Sequence, residues 1–220
     1  KACGIFDLAA FYLFAHPAHK AVCGHSISGV VRAVGGNVQA FKEGDCVVGI
    51  IPLQCLSGGF AEYALVEAHF LVHSTPKVSD VALAGCMLPM AVWHYTLTYK
   101  LHVTQGTTVL FPHGALDGVH LGMQIAALKG AKLFTTASTE EEVQYLNTLG
   151  VDVEIIDTRR DSVVDSILQL TNGLGVDCVC WWSWLQGDAI SCSNMLQVLT
   201  IDGRLAVNIP LQLTAADQQL

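Results

Sequence analysis

The sequence predicts an α/β protein in two parts: a small, mostly antiparallel β-barrel or sandwich, then a parallel sheet with helices on both faces. Three observations carry this. Up to about residue 72, short apolar runs are broken at glycine pairs and Gly-Asp steps. From Thr107 onward, apolar strand-like runs alternate with helical stretches. Hydrophobic residues make up 52% of the 220 residues and charged residues only 14%, a balance that calls for a large core with strands buried on both faces.

In the first part, SGVVRAVGGNV, GDCVVGIIPL, GGFAEYALV and HFLVH read as strands, with Gly35-Gly36, Gly44-Asp45 and Gly58-Gly59 at the breaks. Asp80 reads as an N-cap opening a helix through Leu83, and a second helix is expected over about 90–101. In the second part, strands are expected at 109–111, 131–135, 153–156, 178–182 and 205–209. Thr139 and Glu142 have the spacing of a capping box. Asp161 or Ser162 plays the same part before VVDSILQLT, whose Val163, Val164, Ile167, Leu168 and Leu170 fit one helix face. The expected division is 1–104 for the first domain and 105–220 for the second. A full sheet of this second kind has six strands, so the sixth is expected past Leu220. The chain opens on Lys1 and its last residues begin what reads as a further helix, so it is expected to be part of a longer protein.

Composition narrows the partners. A net charge of −8, with Lys and Arg unclustered, argues against nucleic acid or an anionic membrane surface. The apolar runs are interrupted by Gly, His, Lys or Asp well short of the ~20 residues a membrane span needs. Eight cysteines are scattered without a CxxC pair, which fits a reducing, cytoplasmic setting. Cys178 and Cys180, two apart in an expected strand, read as core thiols.

The chemistry-bearing stretch is HGALDGVHLG, at 113–122, directly after the first strand of the second part. A strand, a tight glycine-bearing turn and a helix form the layout of a dinucleotide-binding fingerprint. Together with GHSISGVV, GGNVQAFKEGDCVVG, SGGFAEYALV, VLFPHGALDGVHLGMQIAALKGAKLFTTAS and GLGVDCVC in this order, it resembles the medium-chain dehydrogenase/reductase superfamily. Within it, the chain is most similar to zeta-crystallin-type quinone oxidoreductases, and VVGIIPL, FLVH and TNGLGVDCV to the quinone oxidoreductase-like branch. The resemblance implies a GroES-like barrel, a Rossmann domain, an active site in the cleft between them and assembly as a homo-oligomer. It also implies NADPH as hydride donor to quinones or α,β-unsaturated carbonyls.

The family's loop reads roughly His-Gly-Ala-x-Gly-Gly-Val-Gly. His113, Gly114, Ala115, Gly118 and Val119 match it, while Asp117 and His120 replace glycines. Asp117 would set a carboxylate against a pyrophosphate, and His120 is expected to push the helix N-terminus outward. At the end of the second strand, Thr136 and Ser138 are expected to face the adenosine ribose. No Asp or Glu stands there to favour NAD, although Glu140, Glu141 and Glu142 follow closely. Trp181, Trp182 and Trp184 are expected to crowd the nicotinamide side.

Zinc is not expected: His25 matches a ligand position of the zinc enzymes, but Cys3 falls three residues early and Cys86 is only loosely in register. The proton is expected from solvent or a tyrosine, with Tyr12 the candidate catalytic residue, and His94 reads as a satisfied core or interface histidine. Two functions follow: a zinc-independent NADPH-dependent reductase, or a pseudoenzyme with a degenerate dinucleotide loop that acts through protein contacts.

Overall fold

The computed structural model describes residues 2–4, 22–52, 58–116, 118–182 and 192–207. The chain divides into two compact units, Lys1–Val92 and Trp93–Leu220.

In the first unit, β1 (Ala2–Gly4), β2 (Ser26–Val30), β3 (Cys46–Ile50) and β4 (Leu71–His73) form an antiparallel sheet in the order β1-β2-β3-β4. Gly49 is needed where β3 crosses β4: a Cβ there would run into the Phe70 carbonyl and come within 2.7 Å of Leu71 Cδ2. The stretch GGFAEYALV, expected as a strand, forms none. Its amides at Gly59 and Phe60 donate to the carbonyls of Gly24 and Cys23, and beyond that point Tyr63 and Leu65 face solvent. An apolar run that finds no neighbouring strand among the described residues has no ladder to hold it extended.

The two helices expected after residue 80 are one, α1 (Asp80–Tyr95), prolonged by a π-helical turn over Thr96–Lys100. Pro89 sits inside α1. It forfeits one backbone bond, but its fixed φ is helical and the chain continues through it. Ser79, not Asp80, is the cap: its Oγ accepts from the Ala82 amide at 3.2 Å, while the Asp80 carboxylate accepts from Ser28 Oγ at 2.7 Å. The stretch Asp80–Lys100 is, by length and composition, apolar enough to cross a membrane, contrary to expectation. Core helices pass the same test, and Trp93 and Leu97 within this stretch are fully buried.

The second unit is a parallel sheet of β5 (Thr108–Phe111), β6 (Lys132–Ala137), β7 (Val153–Asp157), β8 (Val176–Trp181) and β9 (Leu199–Val207), in the order β7-β6-β5-β8-β9. Counted from β5 this is 3-2-1-4-5, the doubly wound order whose winding reverses beside β5. Helices α2 (Val119–Leu128), α3 (Glu140–Asn147), α4 (Val163–Leu170) and α5 (Cys192–Gln197) connect the strands. β9 begins at Leu199, six residues before the expected 205, and residues 208–209 lie outside the described residues.

β5 is buried on both faces, with Val109, Leu110 and Phe111 all inaccessible. Leu110 joins Phe134, Ile167, Val179 and Met195 in one core cluster. Phe111 meets Trp93 edge-on at 5.5 Å, and Trp93 lies against Trp182 at 4.8 Å. Asp177 ties β8 to β5, its carboxylate accepting from the Thr108 amide and hydroxyl at 2.8 and 2.7 Å. Cys178 and Cys180 are buried core thiols as expected. Burial pushes the Cys178 thiol up to about 11 and the Cys180 thiol well above its ordinary range, so both are poor nucleophiles at neutral pH.

Two further features set the edges of the candidate site. On α2, Gly122 makes room for Trp93: a Cβ there would come within 2.6 Å of Trp93 Cδ2. At the end of β7, Arg159 clamps Asp157 through Nε (2.8 Å to Oδ1) and Nη2, and reaches Glu140 Oε2 at 3.2 Å. The guanidinium hydrogen bonds hold the Asp157 carboxyl at about 2, below its usual 3.8.

Two outcomes are expected. Gly122→Ala overpacks the helix against Trp93 and lowers stability by about 1–3 kcal/mol in urea unfolding, whereas Gly85→Ala, where a Cβ meets nothing within 4 Å, does not. The Asp157 pKa is depressed by folding, so its stabilisation is present above the ordinary carboxylate pKa and is lost as pH falls from about 4 to about 2. The stability gap between the wild-type chain and Asp157→Asn should shrink across that window. A gap independent of pH would refute the clamp.

Candidate functional site

The loop HGALDGVHLG leaves the C-terminal end of β5 at the point where the sheet reverses its winding, the crevice in which doubly wound sheets bind ligands. Its path is fixed by β6. The Thr136 hydroxyl accepts from the His113 amide at 2.8 Å, and the Thr136 carbonyl from the Gly114 amide at 3.3 Å. His113 is thereby held at φ 56°, a left-handed conformation uncommon for a residue with a side chain. Gly114 packs so closely on β6 that a Cβ would collide with the Thr135 hydroxyl, which itself donates to the Phe111 carbonyl at 2.7 Å. Beyond it, the Leu116 amide donates to the His113 carbonyl (2.9 Å), Val119 to Leu116 (3.1 Å) and Leu121 to Gly118 (3.2 Å).

Gly118 precedes α2 at φ 79°, and its carbonyl accepts from Trp93 Nε1 at 2.8 Å. The indole thus fixes the entry of the helix from behind. Val119 is fully buried, Ala115 half-buried, and Asp117 lies outside the described residues. His120 stands in the first turn of α2. The helix buries Val119, Gly122, Met123 and Ala126, while the His120 ring turns to meet Tyr145 of α3 edge-on at 6.2 Å. The residue beside Val119 and Gly122 in sequence lies off their face, so the close approach falls to Gly122 and not to position 120.

At the end of β6, Thr136 is buried with its hydroxyl already engaged, and Ser138 is exposed. Thr139 caps α3 through its hydroxyl at 3.2 Å from the Glu142 amide. Glu142 reaches back as the capping box requires, but to Ser138, whose amide and hydroxyl both donate to its carboxylate. Ser162 caps α4.

Trp182 is buried against Trp93 and Trp181 packs against the Leu110 cluster, so both fill the core; Trp184 lies outside the described residues. His25 is buried and its Nδ1 lies 2.8 Å from the Ile51 carbonyl. Among the described residues no three His, Cys, Asp or Glu side chains come together to hold a metal ion; the Cys3 side chain lies outside them. Tyr12 lies outside them too, and His94 is exposed, not in the core, facing Tyr99 edge-on.

Sequence reasoning missed Trp93 and Arg159. Trp93, Leu97 and Leu101, four apart, mark one buried helix face, and Asp157-Thr158-Arg159 at a strand end marks a local ion pair. The loop, its glycine conformations and the N-terminus of α2 fit a dinucleotide as a class, since a helix N-terminus at a winding reversal favours a pyrophosphate.

Comparison with known proteins agrees with both units. The family described as "Alcohol dehydrogenase GroES-like domain" matches residues 3–77, and the one described as "Zinc-binding dehydrogenase" matches residues 120–208. Quinone oxidoreductase-like protein 1 of Mus musculus is 36% identical over 159 residues, which are 71% of this chain and 46% of that protein. The chain thus spans about half the length of that relative. Among solved structures, the CurK enoyl reductase superposes with a TM-score of 0.77 at 26% identity, covering 96% of this chain and 61% of its own. A 2-haloacrylate reductase does so with a TM-score of 0.76 at 27% identity, covering 96% and 65%. A GroES-like unit followed by a doubly wound sheet of order 3-2-1-4-5, matched by both profiles and by these relatives, makes the chain a member of the medium-chain dehydrogenase/reductase superfamily, quinone oxidoreductase-like.

Proposed function

We propose that the chain belongs to a cytoplasmic, zinc-independent reductase that transfers hydride from a reduced nicotinamide dinucleotide to a quinone or an α,β-unsaturated carbonyl. The observation that carries this is the loop from His113 to Val119, set at the winding reversal of the sheet and leading into the N-terminus of α2. The quinone side is supported by the mouse quinone oxidoreductase-like relative, and the activated double bond by the enoyl and 2-haloacrylate reductase structures. Free thiols at Cys23, Cys46, Cys86, Cys178 and Cys180 suit a reducing compartment.

When bound, the dinucleotide supplies the hydride, and the chain supplies position. Gly114 lets the loop lie tight on β6, Thr136 holds its backbone there, and Trp93 fixes the entry of the helix whose N-terminal amides would hold a pyrophosphate. Hydride transfer to an enone or quinone leaves an oxyanion or enolate that needs one proton, from solvent or from Tyr12.

A second reading, a pseudoenzyme acting through protein contacts, is favoured by one feature of the loop. The amides of His113, Gly114, Leu116, Val119 and Leu121 already have acceptors in the loop, in β6 or at the start of α2. A phosphate cannot recruit them without breaking those bonds.

Titration separates the two. With NADH or NADPH present at a hundredfold its dissociation constant, the reductase reading expects about 2.7 kcal/mol of added stability together with quenching of tryptophan fluorescence. It also expects 1,4-benzoquinone reduction that survives treatment with a chelator. Absence of any thermal shift at millimolar dinucleotide would favour the pseudoenzyme, and binding gained by the double variant Asp117→Gly, His120→Gly would then locate the defect in the loop.

A further inference from the structure

The nucleotide implied by family resemblance is NADPH, but the C-terminal ends of β6 and β7 are built against its 2′-phosphate. In doubly wound sheets the adenosine ribose lies at the end of the second strand. An acidic side chain there accepts from its free hydroxyls, whereas a 2′-phosphate needs an available cation. The second strand here is β6, and β7 is paired beside it with Ala137 opposite Asp157.

Glu142 is folded back over that strand end, its Oε2 accepting from the Ser138 amide and, at 2.9 Å, from Ser138 Oγ. The carboxylate is thereby held against Ser138, the residue that directly follows β6, although in the sequence it belongs to the first turn of α3. Among the described residues, the arginines that follow β7 are committed. Arg159 spends Nε and Nη2 on Asp157 and reaches Glu140 at 3.2 Å, and Arg160 Nε is 3.5 Å from the same Asp157. Four carboxylates, of Glu140, Glu141, Glu142 and Asp157, stand against two guanidiniums. A phosphate carrying close to two negative charges would have to pull Arg159 from both its partners while facing Glu142. A ribose diol needs only to donate a hydrogen bond to Glu142.

We propose that Glu142, presented by Ser138 and flanked by an Arg159 already neutralised by Asp157 and Glu140, selects the free ribose and rejects the 2′-phosphate, so that the nucleotide taken is NADH. This rests on the dinucleotide reading of the loop and makes Glu142 a specificity determinant for it.

The test is a pair of dissociation constants, for NADH and NADPH, read by tryptophan quenching and by calorimetry. 5′-AMP and adenosine 2′,5′-bisphosphate serve as fragments that carry the same difference. NADH should bind at least tenfold tighter than NADPH, a gap of about 1.4 kcal/mol, with the fragments ranked alike. Glu142→Gln, which removes the charge while keeping an acceptor for Ser138, should narrow the ratio severalfold. Glu142→Lys should bring it to unity or invert it, with thermal unfolding as the check that α3 remains folded. Equal or tighter binding of NADPH by the wild-type chain, or a ratio unmoved by both substitutions, would overturn the proposal. If the wild-type chain binds neither nucleotide, the reductase reading fails, and the ratio is read in the Asp117→Gly, His120→Gly variant. A preference for NADH there upholds the proposal; a preference for NADPH, or no binding, overturns it.

Discussion

The indole of Trp93 occupies the volume left by Gly122 on α2, meets Phe111 of β5 and Trp182 after β8, and donates its N–H to the Gly118 carbonyl. One side chain therefore joins the central strand, the strand beyond the winding reversal and the loop that would cradle a dinucleotide. Its burial removes a large apolar surface from water, as a fully buried aromatic does. The hydrogen bond adds direction: a buried indole N–H must find an acceptor, and the acceptor is the residue that opens the helix. A glycine at 122 and a left-handed Gly118 follow from the same packing.

From behind, then, the loop is anchored by Trp93; from the side, it is stitched to β6 by Thr135 and Thr136. The family's third glycine is replaced here by His120, whose ring meets Tyr145 of α3. Close approaches of the loop and of α2 are made in this chain by Gly114 against Thr135 and by Gly122 against Trp93. The same stitching occupies amides that could otherwise meet a phosphate, so rigidity and ligand binding draw on the same donors. Farther out, the ends of β6 and β7 form a small electrostatic system of their own, in which the capping needs of α3 and the Asp157–Arg159 clamp decide what charge an incoming nucleotide meets.

Most of the fold could be read from the sequence because its cues are local. The strands of the second unit show as apolar runs, the Thr139 and Ser162 caps as spacing, and the core thiols of Cys178 and Cys180 as residues of one apolar strand. GGFAEYALV had the apolar run and the glycine break of a strand but finds no partner strand among the described residues, and pairing is not a local property. The two helices around Pro89 merged because a proline ends a helix only where nothing else holds the chain on course. At the site, the glycine frame at 114 and 118 was visible, whereas the roles of Trp93 and Glu142 were not. Trp93 lies 25 residues from its acceptor, and Glu142, legible as the capping partner of Thr139, turns its carboxylate to Ser138 instead. Thr136, expected to face the ribose, spends its hydroxyl on the loop, because a buried hydroxyl goes to the nearest unmet backbone donor.

The account rests on a loop closed on itself and pinned by one indole. Amide hydrogen exchange read residue by residue tests this most directly. The amides of His113, Gly114, Leu116 and Val119 should exchange far more slowly than an unstructured chain, and Trp93→Phe, which removes the N–H while keeping most of the ring, should release Leu116 and Val119 first. Exchange of these amides at unprotected rates in the wild-type chain, or protection unchanged in Trp93→Phe, would contradict it.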